Sequence, residues 1–405
     1  MAAPKLRFRE FDVYWNSVAI GNFLKIKSGL GFKAEEYTTE EAIRLLQIEN
    51  VGYGTVKWTH NVKFVPHNYL ENHQDLVLNE DDIVLALNRP VTNDQLKIAK
   101  LTKQDSPSIL YQRVGKLEFK KNEIDSGFIF QIFQKDVKNY VLNSSIGSDQ
   151  PFISTTHLYK HKLHIPSKPE QTKIASFLSA VDEKISQLTQ KHELLSQYKQ
   201  GMMQKLFSQE IRFKADDGGE FGEWEETSLH TFLCESLIKG SKGNKAKKLT
   251  VKLWGKGVIP KNEAFQGSEN TQYYKRSAGQ LIYGKLDFLN CAFGLIPEYL
   301  DGFESTIDAP AFDIDNKIVH PYFLINRFLQ KDFYQKNGEE ADGSRKAKRI
   351  NQSVFLAMQI DLPSLEEQTK IANFLSAIDQ KIEVVTQQIE QAKTWKKGLL
   401  QQMFM

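Results

Sequence analysis

Two stretches of the chain carry apolar residues at alternating intervals of four and three positions. This spacing is a heptad seam, which predicts a long helix that packs along one face against a second helix. The first stretch supplies Ile174, Leu178, Val181, Ile185, Leu188 and Leu195, and the second supplies Ile371, Leu375, Ile378, Ile382, Val385 and Ile389. At 1.5 Å per residue, a helix of about 38 residues would span roughly 57 Å.

The two stretches are copies of one another. The segment IPSKPEQTKIASFLSAVDEKI from Ile165 recurs without a gap as LPSLEEQTKIANFLSAIDQKI from Leu362, an offset of 362 − 165 = 197 residues. A weaker duplication lies upstream, where LRFREFDVYW from Leu6 resembles IRFKADDGGEFGEW from Ile211, with Arg and Trp as shared anchors. The chain is therefore organised as globule, helix, globule, helix.

Chain connectivity predicts that the two helices run antiparallel. In a parallel pair, the second globule would begin at one end of the coil and finish at the other, which a compact domain cannot easily span. In an antiparallel pair it enters and leaves at one place, and the chain acquires an internal pseudo-two-fold axis. We predict globules at residues 1–162 and 212–360, and spacer helices at residues 163–211 and 361–405.

The globules read as mixed α and β, which makes the whole chain an α+β protein. Runs of apolar and β-branched residues predict strands at Asp82 to Leu87, Phe128 to Phe133, Gln280 to Tyr283 and Ala311 to Ile314. A helix is predicted from Pro321 to Gln335. The two globules differ greatly in sequence although their frame is duplicated, which suggests two related tasks on different targets.

Composition narrows the class of protein without giving its function. Apolar residues make up 40% and charged residues 25% of the 405 positions, values typical of globular domains, and the net charge of +3 does not by itself indicate a nucleic-acid partner. No window approaches twenty uninterrupted apolar residues, so we expect no membrane segment and a cytoplasmic location. Cys234 and Cys291 lie far apart, which predicts buried free thiols and no metal site.

Positive charge concentrates in loop-like stretches of the globules, where it could meet DNA phosphates. For any single lysine there, a solvated loop charge is an equally good interpretation. For the lysines as a group, DNA binding is the stronger interpretation, because it fits a chain with two globules on paired helices. The candidates in the first globule are Lys33, Arg89, Lys97 and Arg113. Those in the second are Lys239, Lys242, Lys245, Lys247, Lys248, Lys285, Arg345, Lys346 and Arg349.

Motifs for catalysis are missing from the sequence. It contains no Asn-Pro-Pro-Tyr-type tetrapeptide for amine methylation, no HExxH and no GxSxG. The run from Gly279 to Leu286 imitates a phosphate-binding loop, but Leu286 stands where Ser or Thr is required. We therefore expect a chain that is not an enzyme and has no cofactor of its own.

Taken together, these features resemble a known family. The two copies of the Pro-entry, Glu-Gln-x-x-Ile-x-x-x-Leu helix, the Arg-Phe…Trp opening of each half and the GQLIYGKL…GLIPEYL run look like the specificity (S) subunit of Type I restriction-modification systems. The resemblance covers essentially the whole chain. It implies two target-recognition domains that each read one half of a split, asymmetric site on double-stranded DNA, and two helices that set the half-site spacing.

The resemblance also implies partners. Two modification (M) subunits would bind the helices, hold S-adenosylmethionine and methylate adenine at N6, and an optional ATP-dependent restriction (R) subunit would add cleavage. Two other functions compete with this interpretation. A two-headed coiled-coil adaptor would share the helices without sequence-specific DNA binding, and a self-contained methyltransferase or nuclease would be active as the isolated chain.

Overall fold

The computed structural model describes residues 4–38, 42–120, 123–144, 152–262, 267–339 and 349–404. The chain forms two compact units, one of residues 1–189 with 387–405 and one of residues 190–386. The α-helices in chain order are α1 (Tyr69–Asn72), α2 (Ser126–Ser144), α3 (Thr155–Leu158), α4 (Lys168–Phe207), α5 (Pro321–Phe328), α6 (Lys331–Glu339), α7 (Gln352–Ala357) and α8 (Leu365–Met403).

The strands of the first unit are β1 (Asn16–Ala19), β2 (Leu24–Ser28), β3 (Ile43–Leu46), β4 (Tyr53–Thr55), β5 (Phe64–Val65), β6 (Val77–Leu78), β7 (Ile83–Ala86), β8 (Val91–Thr92), β9 (Gln95–Leu96), β10 (Ile98–Lys100), β11 (Ser108–Leu110), β12 (Val114–Phe119) and β13 (Lys162–Ile165). Those of the second unit are β14 (Glu225–Ser228), β15 (Leu233–Ser236), β16 (Lys239–Lys242), β17 (Leu249–Val251), β18 (Val258–Pro260), β19 (Gln272–Lys275), β20 (Leu281–Tyr283), β21 (Phe293–Leu295), β22 (Glu304–Ser305), β23 (Ala311–Ile314) and β24 (Gln359–Leu362).

In the first unit, a five-stranded sheet of order β2-β12-β7-β10-β4 lies between two apolar cores. Alternate side chains of strand β7 pack into different cores. Ile83 and Leu85 pack in the core that contains α2 and the start of α4, while Val84 and Ala86 pack with the four-stranded sheet β5-β3-β11-β6. A strand buried on both faces needs a continuous apolar sequence, which explains the run Ile-Val-Leu-Ala.

The second unit repeats this plan with different strands. The sheet β15-β23-β20-β21 contains the central strand β20, whose Leu281 and Tyr283 face the core with α5 and the start of α8. Ile282 faces a smaller core with Leu249 and Val258. A three-stranded sheet of order β16-β19-β22, the hairpin β17–β18 and the pair β14–β24 complete the described strands of this unit.

The long helices follow the predicted repeat. Helices α4 and α8 begin at Lys168 and Leu365, which are 197 positions apart, and the strands that precede them, β13 and β24, have the same offset. Strand β13 pairs antiparallel with β1, and β24 with β14. The seam residues of both helices are buried or half-buried. Each unit contains the beginning of one helix and the end of the other, so the helices pair antiparallel, as predicted.

Three of the five predicted globule elements are confirmed, and two are corrected. Strands at Asp82 to Leu87, Gln280 to Tyr283 and Ala311 to Ile314 are found as β7, β20 and β23. The predicted strand from Phe128 to Phe133 is wrong, because this run is part of α2. That helix is buried on several sides, so its apolar run has no helical periodicity to distinguish it from a strand.

The predicted helix from Pro321 to Gln335 is two helices, α5 and α6. The break between them lets Phe328 and Phe333 stack face to face, with ring centroids 4.4 Å apart. Of the two cysteines, Cys291 is buried, and burial raises the pKa of its thiol to about 11. Cys234 is exposed, which corrects the expectation of two buried thiols, because it lies on an outward-facing position of β15.

Candidate nucleic-acid interface

A buried carboxylate joins each globule to the start of its long helix. Glu170, in the first turn of α4, is 1% exposed and accepts two hydrogen bonds of 2.7 Å from the guanidinium of Arg7. The indole N–H of Trp15 donates a third bond of 3.2 Å. Hydrogen bonding to Glu170 raises the pKa of Arg7. Such a bidentate pair fixes position and angle together.

The second unit contains the same arrangement. Glu367, in the first turn of α8, has a fully buried side chain and accepts bonds of 3.1 and 2.8 Å from Arg212. The indole N–H of Trp224 donates to it at 3.3 Å. The sequence identified the Arg and Trp anchors as repeated but did not predict that they meet this glutamate. The signal was available, because the Arg, the Trp and the Glu all occur in both copies.

A second pair of contacts repeats where the helices pack together. In the first unit, Asp182 of α4 binds Lys396 of α8 at 2.6 Å and accepts a bond of 2.8 Å from Gln131 of α2. In the second unit, Asp379 of α8 binds Lys199 of α4 at 2.6 Å and accepts a bond from the hydroxyl of Tyr322. The two long helices and their contacts with the globules, which we call the frame, are therefore duplicated at the level of single side chains.

The surfaces carried on this frame differ between the units. In the first unit, Arg89 and Arg113 occupy turns with positive φ, 45° and 67°, which is an unusual conformation for a long side chain. The two turns are adjacent, since the N–H of Leu87 donates to the carbonyl of Arg113 at 2.9 Å. Both side chains are exposed, and among the described residues neither guanidinium has an ionic or hydrogen-bonded partner. They are available to an anionic ligand.

The other candidates of the first unit lie in different surroundings. Lys33 is exposed at the start of a short 3-10 turn. Lys97 is half-buried and donates to the carbonyl of Ile48, and burial lowers the pKa of its ammonium. The geometry therefore favours a structural role for Lys97 and leaves Lys33, Arg89 and Arg113 as the exposed basic residues of the predicted set in this unit.

In the second unit, four of the predicted lysines form an exposed group. Lys239 and Lys242 lie on β16, an edge strand of its sheet, and Lys245 and Lys247 follow in the next turn. All four side chains are exposed, and within the described part of the chain none of their ammonium groups has an ion-pair partner. We call these four residues the β16 lysine group. The outer edge of β16, which pairs with no described strand, can approach a phosphate backbone closely with its cations exposed.

The remaining candidates are buried, paired or outside the described residues. Lys248 is 9% exposed, and its ammonium lies 5.5 Å from the ring centroid of Tyr273. Lys285 is 6% exposed, and burial lowers its pKa. Arg349 is paired with Asp308 at 3.4 Å. Arg345 and Lys346 lie outside the described residues.

Other kinds of site find little support in the described residues. Within the ranges given above, no group of three or more His, Cys, Asp and Glu side chains is arranged to hold a metal ion. Among those same residues, no helix has the length and apolarity to cross a membrane.

The comparison with known families decides where the chain belongs. Residues 12–197 and 311–394, more than half of the chain, match the family model Methylase_S, the Type I restriction modification DNA specificity domain. The chain belongs to this specificity family. The first matched segment contains most of the first globule and much of α4, and the second contains β23, α5 and most of α8.

Individual members of the specificity family match parts of the chain. It is 37% identical over 211 residues to the Type I restriction enzyme MjaVIII specificity subunit of Methanocaldococcus jannaschii, which covers 52% of this chain and 49% of the relative. It is 29% identical over 171 residues to the EcoAI specificity subunit of Escherichia coli, covering 42% and 28%. The matches thus span half or less of the length of these two relatives.

Solved structures match the fold over almost the whole chain. The Type-I restriction-modification S subunit from M. genitalium has a TM-score of 0.61 at 16% identity, covering 100% of this chain and 99% of that one. A chain from a structure on complex assembly of the type I R-M system has a TM-score of 0.55 at 14% identity, covering 97% and 98%. At such low identity these likenesses concern the fold.

Proposed function

We propose that this chain is the DNA-specificity subunit of a Type I restriction-modification complex. In this proposal each globule reads one half of a bipartite, asymmetric site on double-stranded DNA, and the helices set the distance between the halves. The observation that carries the proposal is a duplicated frame with different surfaces. The Arg–Glu–Trp contact and the Asp–Lys contact occur in both units, whereas the exposed basic groups differ.

The duplicated frame and the divergent loops suit different parts of this task. Identical anchors hold both globules at the same place on their helices, so the frame itself cannot distinguish two ligands. The different loops can, because base identity is read by side chains in the grooves while cations on the phosphates set affinity and register. Two different readers on a repeated support suit a site with two unlike halves.

The partners belong to the same proposal. Two M subunits would bind the helices and supply both S-adenosylmethionine and the methylation of adenine, and an R subunit would add ATP-dependent cleavage. This chain would contribute recognition, with no cofactor of its own. The contacts between each helix and its globule would fix the position of each half-site relative to the bound M subunit.

The test compares methylation of host DNA with and without the chain. The full chain is first tested for co-purification with any methyltransferase encoded beside it, and adenine methylation is then mapped in cells that have or lack the chain. We expect a two-part methylated motif that disappears when the chain is removed. A chain that recruits no methyltransferase and leaves methylation unchanged would contradict the proposal and favour a protein-binding adaptor.

A further inference from the structure

An exposed tryptophan occupies a two-residue hairpin turn in the second unit. Strands β17 and β18 pair with Val251 opposite Val258, and the N–H of Lys256 closes the turn on the carbonyl of Leu253 at 3.4 Å. The two central residues, Trp254 and Gly255, both have positive φ, 59° and 64°. Two successive residues with positive φ are the requirement of a type I′ turn.

Tryptophan is a poor choice for the first central position. Glycine, asparagine and aspartate tolerate positive φ, whereas a bulky side chain is strained there. The first unit shows the ordinary solution, because the hairpin between β8 and β9 places Asn93 and Asp94 at the two central positions, with φ of 51° and 55°. A strained residue that its surroundings hold in place indicates a function for its side chain.

The surroundings do hold this turn in place. The N–H of Trp254 donates to the carbonyl of Asn290 at 2.8 Å, and the N–H of Gly255 donates to the carbonyl of Cys291 at 2.9 Å. A Cβ atom added to Gly255 would lie 2.5 Å from a methyl carbon of Leu329, so the backbone lies against α5's C-terminal end. The backbone of the turn is therefore fixed before any ligand arrives.

Among the described residues, no polar or ring contact of the indole explains the strain. Trp254 is 59% exposed, and among the described residues its ring has no aromatic or cationic neighbour and its N–H no hydrogen-bond partner. Lys252 and Lys256, on either side of the turn, are also exposed. Neither ammonium has an ion-pair partner in the described part of the chain. A flat apolar ring flanked by two free cations is left facing solvent.

We propose that Trp254 is a base-contacting residue that determines specificity in one half of the DNA site. The indole presents an apolar surface to the base edges, where it can favour a thymine methyl group or a base step that deforms easily, and either contact discriminates between bases. Lys252 and Lys256 bind the phosphates on either side and position the turn. A two-stranded hairpin is narrow enough to enter the major groove. The inference rests on the proposed function.

The decisive variant is Trp254→Asn. It creates the Asn-Gly pair that type I′ turns prefer, so the hairpin should be as stable as before or more stable while the aromatic ring is lost. The full chain, with its methyltransferase partner where they form a complex, is used to select binders from a library of random DNA duplexes. The dissociation constant of the selected duplex and the melting temperature of the protein are then measured for each variant.

We expect Trp254→Asn to weaken binding at least 10-fold, to relax base preference at one or two neighbouring positions in one half-site, and to leave the melting temperature unchanged or higher. Trp254→Phe should retain most of the preference. Tyr14→Ala is the control, because it removes an aromatic ring that is 57% exposed in the first unit, outside the long helices, and should leave these positions unaltered.

Other results distinguish the role of Trp254 from the proposed function. Unchanged affinity and base preference in Trp254→Asn, or a loss spread equally over both half-sites, would overturn the role of Trp254 and leave the proposed function intact. A wild-type chain that selects no sequence from the library would overturn the proposed function and this inference together.

Discussion

Glu170 and Glu367 are the charged side chains on which the attachment of each globule depends. Both are almost fully buried, and each satisfies an arginine and a tryptophan at once. A buried charge pair adds little stability compared with an apolar pair of the same size, but removing one partner is costly because the other keeps its charge. The main role of Glu170 and Glu367 is therefore to fix the position of each globule on its long helix.

We predict that Glu367→Gln destabilises the protein by roughly 2–4 kcal/mol, because it leaves the guanidinium of Arg212 without its counter-charge. Glu366→Gln changes the neighbouring exposed carboxylate in the same way and should have little effect. Urea unfolding of the three proteins measures the difference. Equal stability of the two variants would show that the contact of Arg212 with Glu367 contributes nothing to the fold.

Asp136 of α2 gives a prediction about pH. Burial raises the pKa of its carboxyl to about 6, and Lys135 at 4.0 Å offsets this only in part. Because the folded pKa lies above the unfolded value, the associated stability is fully present below about pH 4 and is lost as the pH rises through 6. At neutral pH the protein thus contains a carboxylate that would be more stable protonated.

Asp136→Asn should therefore stabilise the protein at pH 8 by roughly 2–3 kcal/mol, with the gain disappearing near pH 4. Thermal unfolding at both pH values measures this, and Asp12→Asn in the same unit supplies an exposed control. A gain that is the same at pH 4 and pH 8 would mean that ionisation of Asp136 is not its cause.

At the scale of single residues, the sequence could not separate exposed cations from buried ones. Lys245 and Lys248 stand three positions apart in the same basic run, yet one is exposed and the other is 9% exposed against Tyr273. The difference arises from which way each side chain points off a backbone whose strand register depends on distant residues. Glu170 was hidden for the same reason, since its partners are more than 150 positions away.

Among the elements, the edge strand β16 and its following turn make the clearest prediction. If the β16 lysine group binds phosphates, replacing its four lysines by glutamine should weaken DNA binding similarly for all sequences. The slope of log affinity against log salt should fall by about 0.9 for each phosphate that is no longer neutralised. Binding titrations at several salt concentrations measure the slope.

A control for this experiment is available in the same unit. Lys317→Gln and Lys331→Gln remove exposed lysines outside the β16 lysine group. An equal decrease of the slope for each lysine removed in the control would mean that net charge, and not this group, governs the salt dependence. A change in base preference would assign the group a role in reading the sequence as well.

The long helices were predictable and α2 was not, for a physical reason. A helix that buries one stripe has a repeating pattern, and α4 and α8 repeat it over some forty residues, so the pattern outweighs local noise. Helix α2 buries Phe128, Ile129, Phe130, Ile132 and Phe133 in succession and has no exposed stripe there. A helix that is buried on many sides has no hydrophobic periodicity from which it could be predicted.

For the whole molecule, the duplication extends to the division between the units. The first segment of the first unit ends at Thr189 within α4, and the second unit ends at Thr386 within α8, again 197 positions apart. Each long helix therefore begins in one unit and ends in the other. The contacts that hold each globule to the helices join only residues of the same unit.

This division defines where the helices can be lengthened without disturbing either globule. Seven residues inserted after Thr189 and seven after Thr386 preserve the heptad phase, so the Asp182–Lys396 and Asp379–Lys199 contacts remain possible within their units. The insertions lengthen each helix by about 10 Å at 1.5 Å per residue. If the helices set the half-site spacing, the preferred spacer should grow by about three base pairs at 3.4 Å each.

Binding to the lengthened site should also be weaker. Three base pairs rotate one half-site by roughly 100° around the DNA axis, given about 10.5 base pairs per turn, whereas a heptad rotates a straight helix by only about 20° relative to its seam. The DNA must therefore be twisted to bring both half-sites to the globules, and this deformation costs binding free energy. Methylation mapping with the lengthened chain measures the spacer, and the two half-site sequences serve as the internal control because the globules are unchanged. A spacer that keeps its original length would mean that something other than the helices sets the distance between the half-sites.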